Sequence, residues 1–221
     1  MKARIGCFIP ARSGSKRIKN KNISRINNEP LIKFVSRKII DSKKINEFHI
    51  GTDNNKIFSK IGSLKKKFHY FKRSKKSSKD TAPSEWAIIE FLKANKKIDI
   101  VVFVQVTNPF IKSKYIDKAI SIFLKNKYDS LLSVTESKHF LWKMKKYAKP
   151  INYDYKKRTR SQNTESYFIE NGSFYIFYRK NFLKFKNRLH GKIGIYKMPT
   201  ISSHEIDNKN DLIIIKKLLR K

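Results

Sequence analysis

FIPARSGSKRIKNKNI, residues 8–23, decides how this chain is read. An apolar run from Ile5 to Ile9 leads into it and reads as the first strand of a sheet. The run then breaks into Pro10, Ala11, Ser13 and Gly14, with Arg12, Lys16, Arg17, Lys19 and Lys21 set among them. Small residues leave backbone N–H groups accessible, and the cations neutralise negative charge. A strand-to-helix loop built this way suits a nucleotide triphosphate. Residues 11–14 offer backbone donors, Arg12 a bidentate guanidinium and Lys21 a point charge. Neither the Walker A pattern nor a GxGxxG fingerprint is present, which disfavours P-loop and dinucleotide-binding folds.

Beyond the loop, apolar runs alternate with helical patterns, the signature of a mostly parallel α/β sheet with crossover helices. The spacing predicts strands over 4–9, 48–51, 68–71, 98–104, 130–134, 174–178 and 192–197. It predicts helices over 31–41, 54–66, 114–126, 180–185 and 208–219. A further helix ends near Asn95; Asp80 or Thr81 is its expected cap, with Pro83 in its first turn and Trp86, Ile89, Phe91 and Leu92 on its apolar face. IDIVVFV, residues 98–104, is β-branched and nearly continuous, as a central strand buried on both faces requires. The polar stretch 72–83 is too long for a mere connection, and such loops are usually functional. Between 135 and 167 the rhythm fails: Phe140, Trp142, Tyr147, Tyr153 and Tyr155 predict a hairpin-like excursion whose exposed aromatics mark a subunit interface. The whole chain, 1–221, reads as one domain carrying that excursion.

Composition narrows the function. The formal net charge is +35, yet only 11 of the 52 basic residues are arginines, and they are spread along the chain. Nucleic-acid recognition favours clustered Arg interleaved with aromatics, so no specific nucleic-acid partner is expected. No apolar run reaches the roughly 18 residues of a membrane span. The start of the chain lacks a leader's apolar region, so a cytoplasmic location is expected. Cys7, the one cysteine, excludes an internal disulfide and reads as a buried strand residue.

Open α/β sheets bind ligands beyond the carboxyl ends of their strands. The loop 10–22, Thr52-Asp53, residues 105–109 and residues 202–207 all follow predicted strands and gather at that edge. Glu205-Ile206-Asp207 places two carboxylates on one face of extended backbone with Ile206 turned inward. Such a pair, completed by phosphate oxygens and water, is a Mg²⁺ arrangement; the alternative is that Asp207 caps the final helix. Gln105, Thr107 and Asn108 supply neutral donors and acceptors for a sugar or base. Arg158, Arg160 and Gln162 form a second polar cluster at the far end of the excursion. Asn171 precedes Gly172 and either reaches a ligand or sits in a simple turn. The five histidines have no metal-ligand spacing, and no triad suggests covalent catalysis.

In this order, IPARSGSKRIKNKNI, Arg73 with KDTAPSE (79–85), QVTNPF (105–110), TRSQ (159–162), ENGSFYIF (170–177) and MPTISSHEIDNKND (198–211) resemble the CMP-sialic acid synthetases, or acylneuraminate cytidylyltransferases. The resemblance covers nearly the whole chain. It implies a Rossmann-like three-layer α/β/α nucleotidyltransferase fold with a small dimerisation arm, 135–167, projecting into the partner of a homodimer. It implies transfer of CMP from CTP to the anomeric hydroxyl of a nonulosonic acid, with Mg²⁺ or Mn²⁺ as cofactor. Ala11, Arg12, Ser13, Gly14, Lys21, Asn22, Arg73, Asp80 and Ser84 would hold the nucleotide. Gln105, Thr107, Asn108, Arg158, Arg160, Gln162 and Asn171 would meet the sugar. Glu205 and Asp207 would hold the metal, and Arg12, Lys21 and Asp207 would carry catalysis. Lys19 stands where a proline is common, Ser161 where a second arginine is frequent, Arg17 where N-acetylneuraminate enzymes often have glycine, and Glu205 where many members have Asp. A Kdo-type cytidylyltransferase is the neighbouring reading, and a basic nucleic-acid-binding protein the reading from another class.

Overall fold

The computed structural model describes residues 3–219. Strand β1 (Ile5–Pro10) delivers the chain into the cation-rich loop, which closes through a 3-10 turn, Lys21–Ile23. A two-residue ladder, β2 (Arg25–Ile26) with β3 (Glu29–Pro30), leads into α1 (Leu31–Ile39). There follow β4 (Glu47–Thr52), α2 (Asn55–Ser59), β5 (Phe68–Lys72), α3 (Ser84–Ala94), β6 (Ile100–Val104) and α4 (Ser113–Lys125). Strand β7 (Ser130–Ser137) runs out into a hairpin, β8 (Trp142–Met144) with β9 (Ala148–Pro150), and β10 (Tyr167–Tyr178) returns from it. The chain closes with α5 (Arg179–Phe185), β11 (Ile193–Lys197) and α6 (Lys209–Leu219).

Seven strands form one sheet in the order β11-β7-β10-β6-β1-β4-β5. Neighbours pair in parallel except β10, which is antiparallel to both β6 and β7. Strict alternation explains the layering. Ile5, Cys7 and Ile9 on β1, with Ile100, Val102 and Val104 on β6, pack under α1 and α4. Phe8, Val101 and Phe103 point the other way, into α3 and α5. The Phe8 ring stacks on Phe91 of α3 with centroids 4.3 Å apart. Helices therefore cover both faces, giving the three-layer α/β/α architecture expected.

Three local expectations give way. The helix expected over 54–66 is a short α2 followed by a 3-10 segment, Gly62–Lys67, because Gly62 takes a left-handed φ of 61° that ends regular winding. Helix α3 starts at Ser84, directly after Pro83, with no side-chain cap; Asp80 instead pairs with cations of the loop. Its buried face is Ala87, Ile88, Phe91 and Leu92, while Trp86 is exposed beneath the Lys76 ammonium, 5.0 Å from its ring. Strand β10 is longer than the expected 174–178 and carries a bulge between Glu170 and Tyr175.

Candidate active site

The loop after β1 has little regular structure, so its path is set by tethers. Ala11 is fully buried and continues the β1–β4 pairing, its N–H donating to Gly51 at 2.8 Å. The Ser13 N–H donates to Asp53 Oδ1 at 2.8 Å and its hydroxyl to Asp53 Oδ2 at 2.6 Å. The Asn22 amide donates to the Arg12 carbonyl at 2.8 Å. Arg12 forms an ion pair with Asp80, and Lys16 lies 3.6 Å from the same carboxylate. Gly14 is exposed, and a Cβ there would meet no atom nearer than the Arg12 guanidinium at 3.8 Å. The loop thus leaves room for a close backbone approach.

Opposite it runs the segment after β11. Ile206 is fully buried, so Glu205 and Asp207 are presented toward the loop side, as the alternation predicts. The Ile206 N–H donates to the Thr107 carbonyl at 2.9 Å, joining this segment to the end of β6. Lys21 donates to the Ile206 carbonyl at 3.1 Å and stands 3.7 Å from Asp207, while Arg17 reaches Asp207 at 3.1 Å. Burial pushes the Lys21 pKa down, against the pull of Asp207. Asp207 does not cap α6. That end is closed by Asn208, whose Oδ1 accepts the Asp211 N–H at 3.1 Å, while the Asp211 carboxylate accepts the Asp207 and Asn208 N–H groups at 2.8 Å. The Asp207 carboxylate is left to the site.

Glu205 receives the Thr107 hydroxyl at 3.4 Å. Burial, and then the neighbouring Asp207 charge, raise its pKa, so an added cation would stabilise its ionised form. It lies against Gly172, whose φ of 55° is left-handed and where a Cβ would run into the Glu205 carboxylate. Among the described residues no group of three or more His, Cys, Asp or Glu could hold a metal ion. The Glu205–Asp207 pair nevertheless fits Mg²⁺, which is commonly held by one or two carboxylates with substrate phosphates completing its shell.

Other expected site residues are engaged with the protein itself or exposed on the excursion. The Asn108 side chain is fully buried: its amide donates to the carbonyls of Asn171 and Ser202 at 2.8 Å each, and its oxygen accepts the Phe110 N–H at 3.3 Å. Irregular backbone leaves those carbonyls without ladder partners, and Asn108 supplies the donors. Asn171 is 1% exposed, its Oδ1 accepting the Ser133 hydroxyl at 2.7 Å across the β10 bulge. Both were expected to face a sugar; Asn108 is spent on backbone carbonyls, and Asn171 on the Ser133 hydroxyl, the Ser173 N–H and the Met198 sulfur. Arg73 is 6% exposed and donates to the Ser77 carbonyl, propping the 73–83 loop from beneath, while Ser84 opens α3 beyond it. The Gln105 N–H pairs with the Ser173 carbonyl at 3.1 Å, at the end of β6. Arg158, Arg160 and Gln162 are exposed on the excursion, where Arg158 covers the Phe140 ring at 5.0 Å. Sequence reasoning gave no role to Asp53; its place directly after β4, at the ligand edge, was the available signal.

A doubly covered, mostly parallel sheet with a cation-lined loop facing two carboxylates at its carboxyl edge defines an α/β nucleotidyltransferase architecture. The chain belongs to the cytidylyltransferase family, whose model matches residues 7–220. It is 32% identical over 211 residues to an N-acylneuraminate cytidylyltransferase of Oncorhynchus mykiss, covering 93% of this chain and 48% of that protein, so it spans about half the length of that relative. A pseudaminic acid cytidylyltransferase of Campylobacter jejuni is 27% identical over 225 residues, covering 97% of this chain and 95% of that one. A solved CMP:2-keto-3-deoxy-manno-octonic acid synthetase complexed with CTP shares the fold, with a TM-score of 0.73 at 15% identity and 98% of each chain covered.

Proposed function

We propose that this protein transfers CMP from CTP to the anomeric hydroxyl of a nonulosonic, sialic-type acid and releases pyrophosphate. The observation that carries this reading is the closure of the cation loop onto the acidic segment. Lys21 is bonded to the Ile206 carbonyl and lies beside Asp207, so phosphate-binding cations and metal-type carboxylates share one cleft. Membership of the cytidylyltransferase family supports CTP as donor, and the sialic-type acids named for two relatives support the acceptor.

In the reaction the acceptor hydroxyl gives up its proton to solvent as its oxygen attacks the α-phosphorus, and the bond from that phosphorus to the bridging oxygen breaks, the electron pair leaving with pyrophosphate. Both substrates are anions, so the protein's work is alignment and charge neutralisation. Arg12 and Lys21 would stabilise negative charge developing on the phosphates. Glu205 and Asp207 would hold Mg²⁺ or Mn²⁺, which when bound supplies further neutralisation at the phosphates. Thr107 orients Glu205, and Gln105 at the end of β6 would meet the sugar. Arg158 or Arg160 would meet acceptor charge only if the excursion folds over the cleft of a partner subunit. A homodimer joined through that arm is therefore part of the proposal, as is a cytoplasmic setting supplied with CTP.

Pyrophosphate release measured with CTP, UTP and ATP against neuraminate, pseudaminate and a Kdo-type acid tests the reading. CTP with a sialic-type acid should give the highest kcat/KM. Arg12→Ala and Asp207→Ala should each lower turnover by about 10²–10³-fold, the scale of one lost electrostatic donor. Near wild-type release by either variant would overturn these roles.

A further inference from the structure

Ser13 lies among the residues expected to bind phosphate, yet both its donors are already engaged. Its N–H and its hydroxyl converge on the two oxygens of Asp53, at 2.8 and 2.6 Å. Asp53 follows β4 directly, and β4 pairs in parallel with β1 through Pro10 and Gly51. The carboxylate therefore stands beside the point where the chain leaves the sheet to form the nucleotide loop. We propose that Asp53 is a positioning residue for that loop: it holds the Ser13 peptide in place so that Arg12, Gly14 and the following cations face the phosphates, and it touches no nucleotide itself. The inference rests on the cytidylyl-transfer reading, which gives the loop its task.

Three observations carry it. The first is donor arithmetic. An N–H and a hydroxyl committed to one carboxylate cannot also serve a phosphate. Ser13 becomes a strut, and backbone recognition shifts to Gly14, where a Cβ-free residue leaves open space.

The second is electrostatic. A carboxylate beside the seat of a triphosphate weakens binding unless its charge is answered. Asp53 is answered by two donors and by the buried Arg73 nearby, whose guanidinium it stabilises against the cost of burial. A group tolerated at such a place is there for its geometry. The third is the loop's own lack of regular structure. The other tethers, Asn22 on the Arg12 carbonyl and Lys21 on the Ile206 carbonyl, hold its return. Asp53 holds its departure, one residue after Arg12.

The test compares Asp53→Ala, Asp53→Asn, Ser13→Ala and the double variant Ser13→Ala/Asp53→Ala. KM is measured separately for CTP and for the acid acceptor, with thermal midpoint and amide exchange of the loop followed alongside. Asp53→Ala should raise KM for CTP by about 10- to 100-fold, the range for hydrogen bonds to a charged group, and leave KM for the acceptor near wild type. Asp53→Asn should recover part of the loss, because its one remaining oxygen still accepts from Ser13. The double variant should be no worse than Asp53→Ala, since both changes delete the same tether. Additive losses, or equal rises in both KM values, would overturn the inference. Amide exchange separates it from the reaction it serves. If wild type turns over no CTP–acid pair, the reaction fails; the tether still stands if exchange at Ser13 and Gly14 quickens in Asp53→Ala, and falls if it does not.

Discussion

Gly172 shows how tightly single residues are specified around the acidic pair. Its φ of 55° costs an L-residue about 1–2 kcal/mol, and the Glu205 carboxylate occupies the space a side chain would need. Gly172→Ala should therefore lower the unfolding free energy, read from urea titrations, by that amount and also displace Glu205, cutting pyrophosphate release. Gly172→Asn separates the two effects. Asparagine tolerates this φ better, so its stability should recover in part while activity stays low. A Gly172→Asn protein with full activity would show that Glu205 can move without consequence. At this scale the sequence was only partly legible. The Arg12 and Lys21 loop stood out because its chemistry is local. The burial of Asn108 and Asn171 was not visible, because their partners on β7, β10 and residues 198–202 are brought near from distant parts of the chain.

At the scale of elements, the core strands were legible where the run is short and apolar, as in IVVFV of β6, which is β-branched and buried throughout. The weak points were ends and breaks. Whether Asp207 or Asn208 caps α6 depends on a one-residue difference that hydrogen bonds decide, and the break after α2 depends on the φ of Gly62. The β4–β5 edge carries a further property. His49 on β4 is 6% exposed, packed edge-on against Phe91 and 4.9 Å from the His69 ring. Burial, aided by His69 and Arg4 and opposed by Glu47, pushes its pKa down to about 4. The unfolded chain, with histidine near 6.5, binds the proton more readily, so stability is whole above pH 6.5 and is lost as pH falls toward 4. Between about pH 7 and pH 5 the loss should be about 2 kcal/mol, read from urea midpoints, and His49→Phe should flatten that slope. Glu47, whose carboxyl pKa is lowered, adds its own loss only below about pH 4.5, outside this window. An unchanged slope in His49→Phe would remove His49 as its source.

At the scale of the whole molecule, a net charge of +35 surrounds the proposed site for two anionic substrates. A field of that sign speeds the encounter of anions at low salt without selecting among them. Selection falls to the cleft at the sheet edge. The sheet is continuous across it because β10 enters against the direction of both neighbours and so needs no crossover between β7 and itself. That topology was the least legible part of the fold. The run 174–178 looked like any other core strand, and nothing local marks its direction or its early start at Tyr167.

The same arrangement makes the excursion a removable module. Ser137 and Tyr167 are opposed partners at the mouth of the β7–β10 pair, so the two strands already stand at hairpin distance where the excursion begins and ends. Residues 138–166 could be cut out and the gap bridged by Asn-Gly, the two-residue link such strands favour. The shortened protein should keep its thermal unfolding cooperative. If the arm joins the subunits, it should sediment as a monomer where the full chain sediments as a dimer. A shortened protein that still sediments as a dimer would move the interface off the arm. Lineages carrying this sheet could thus lengthen, trade or discard the insert without re-registering a single strand of the core.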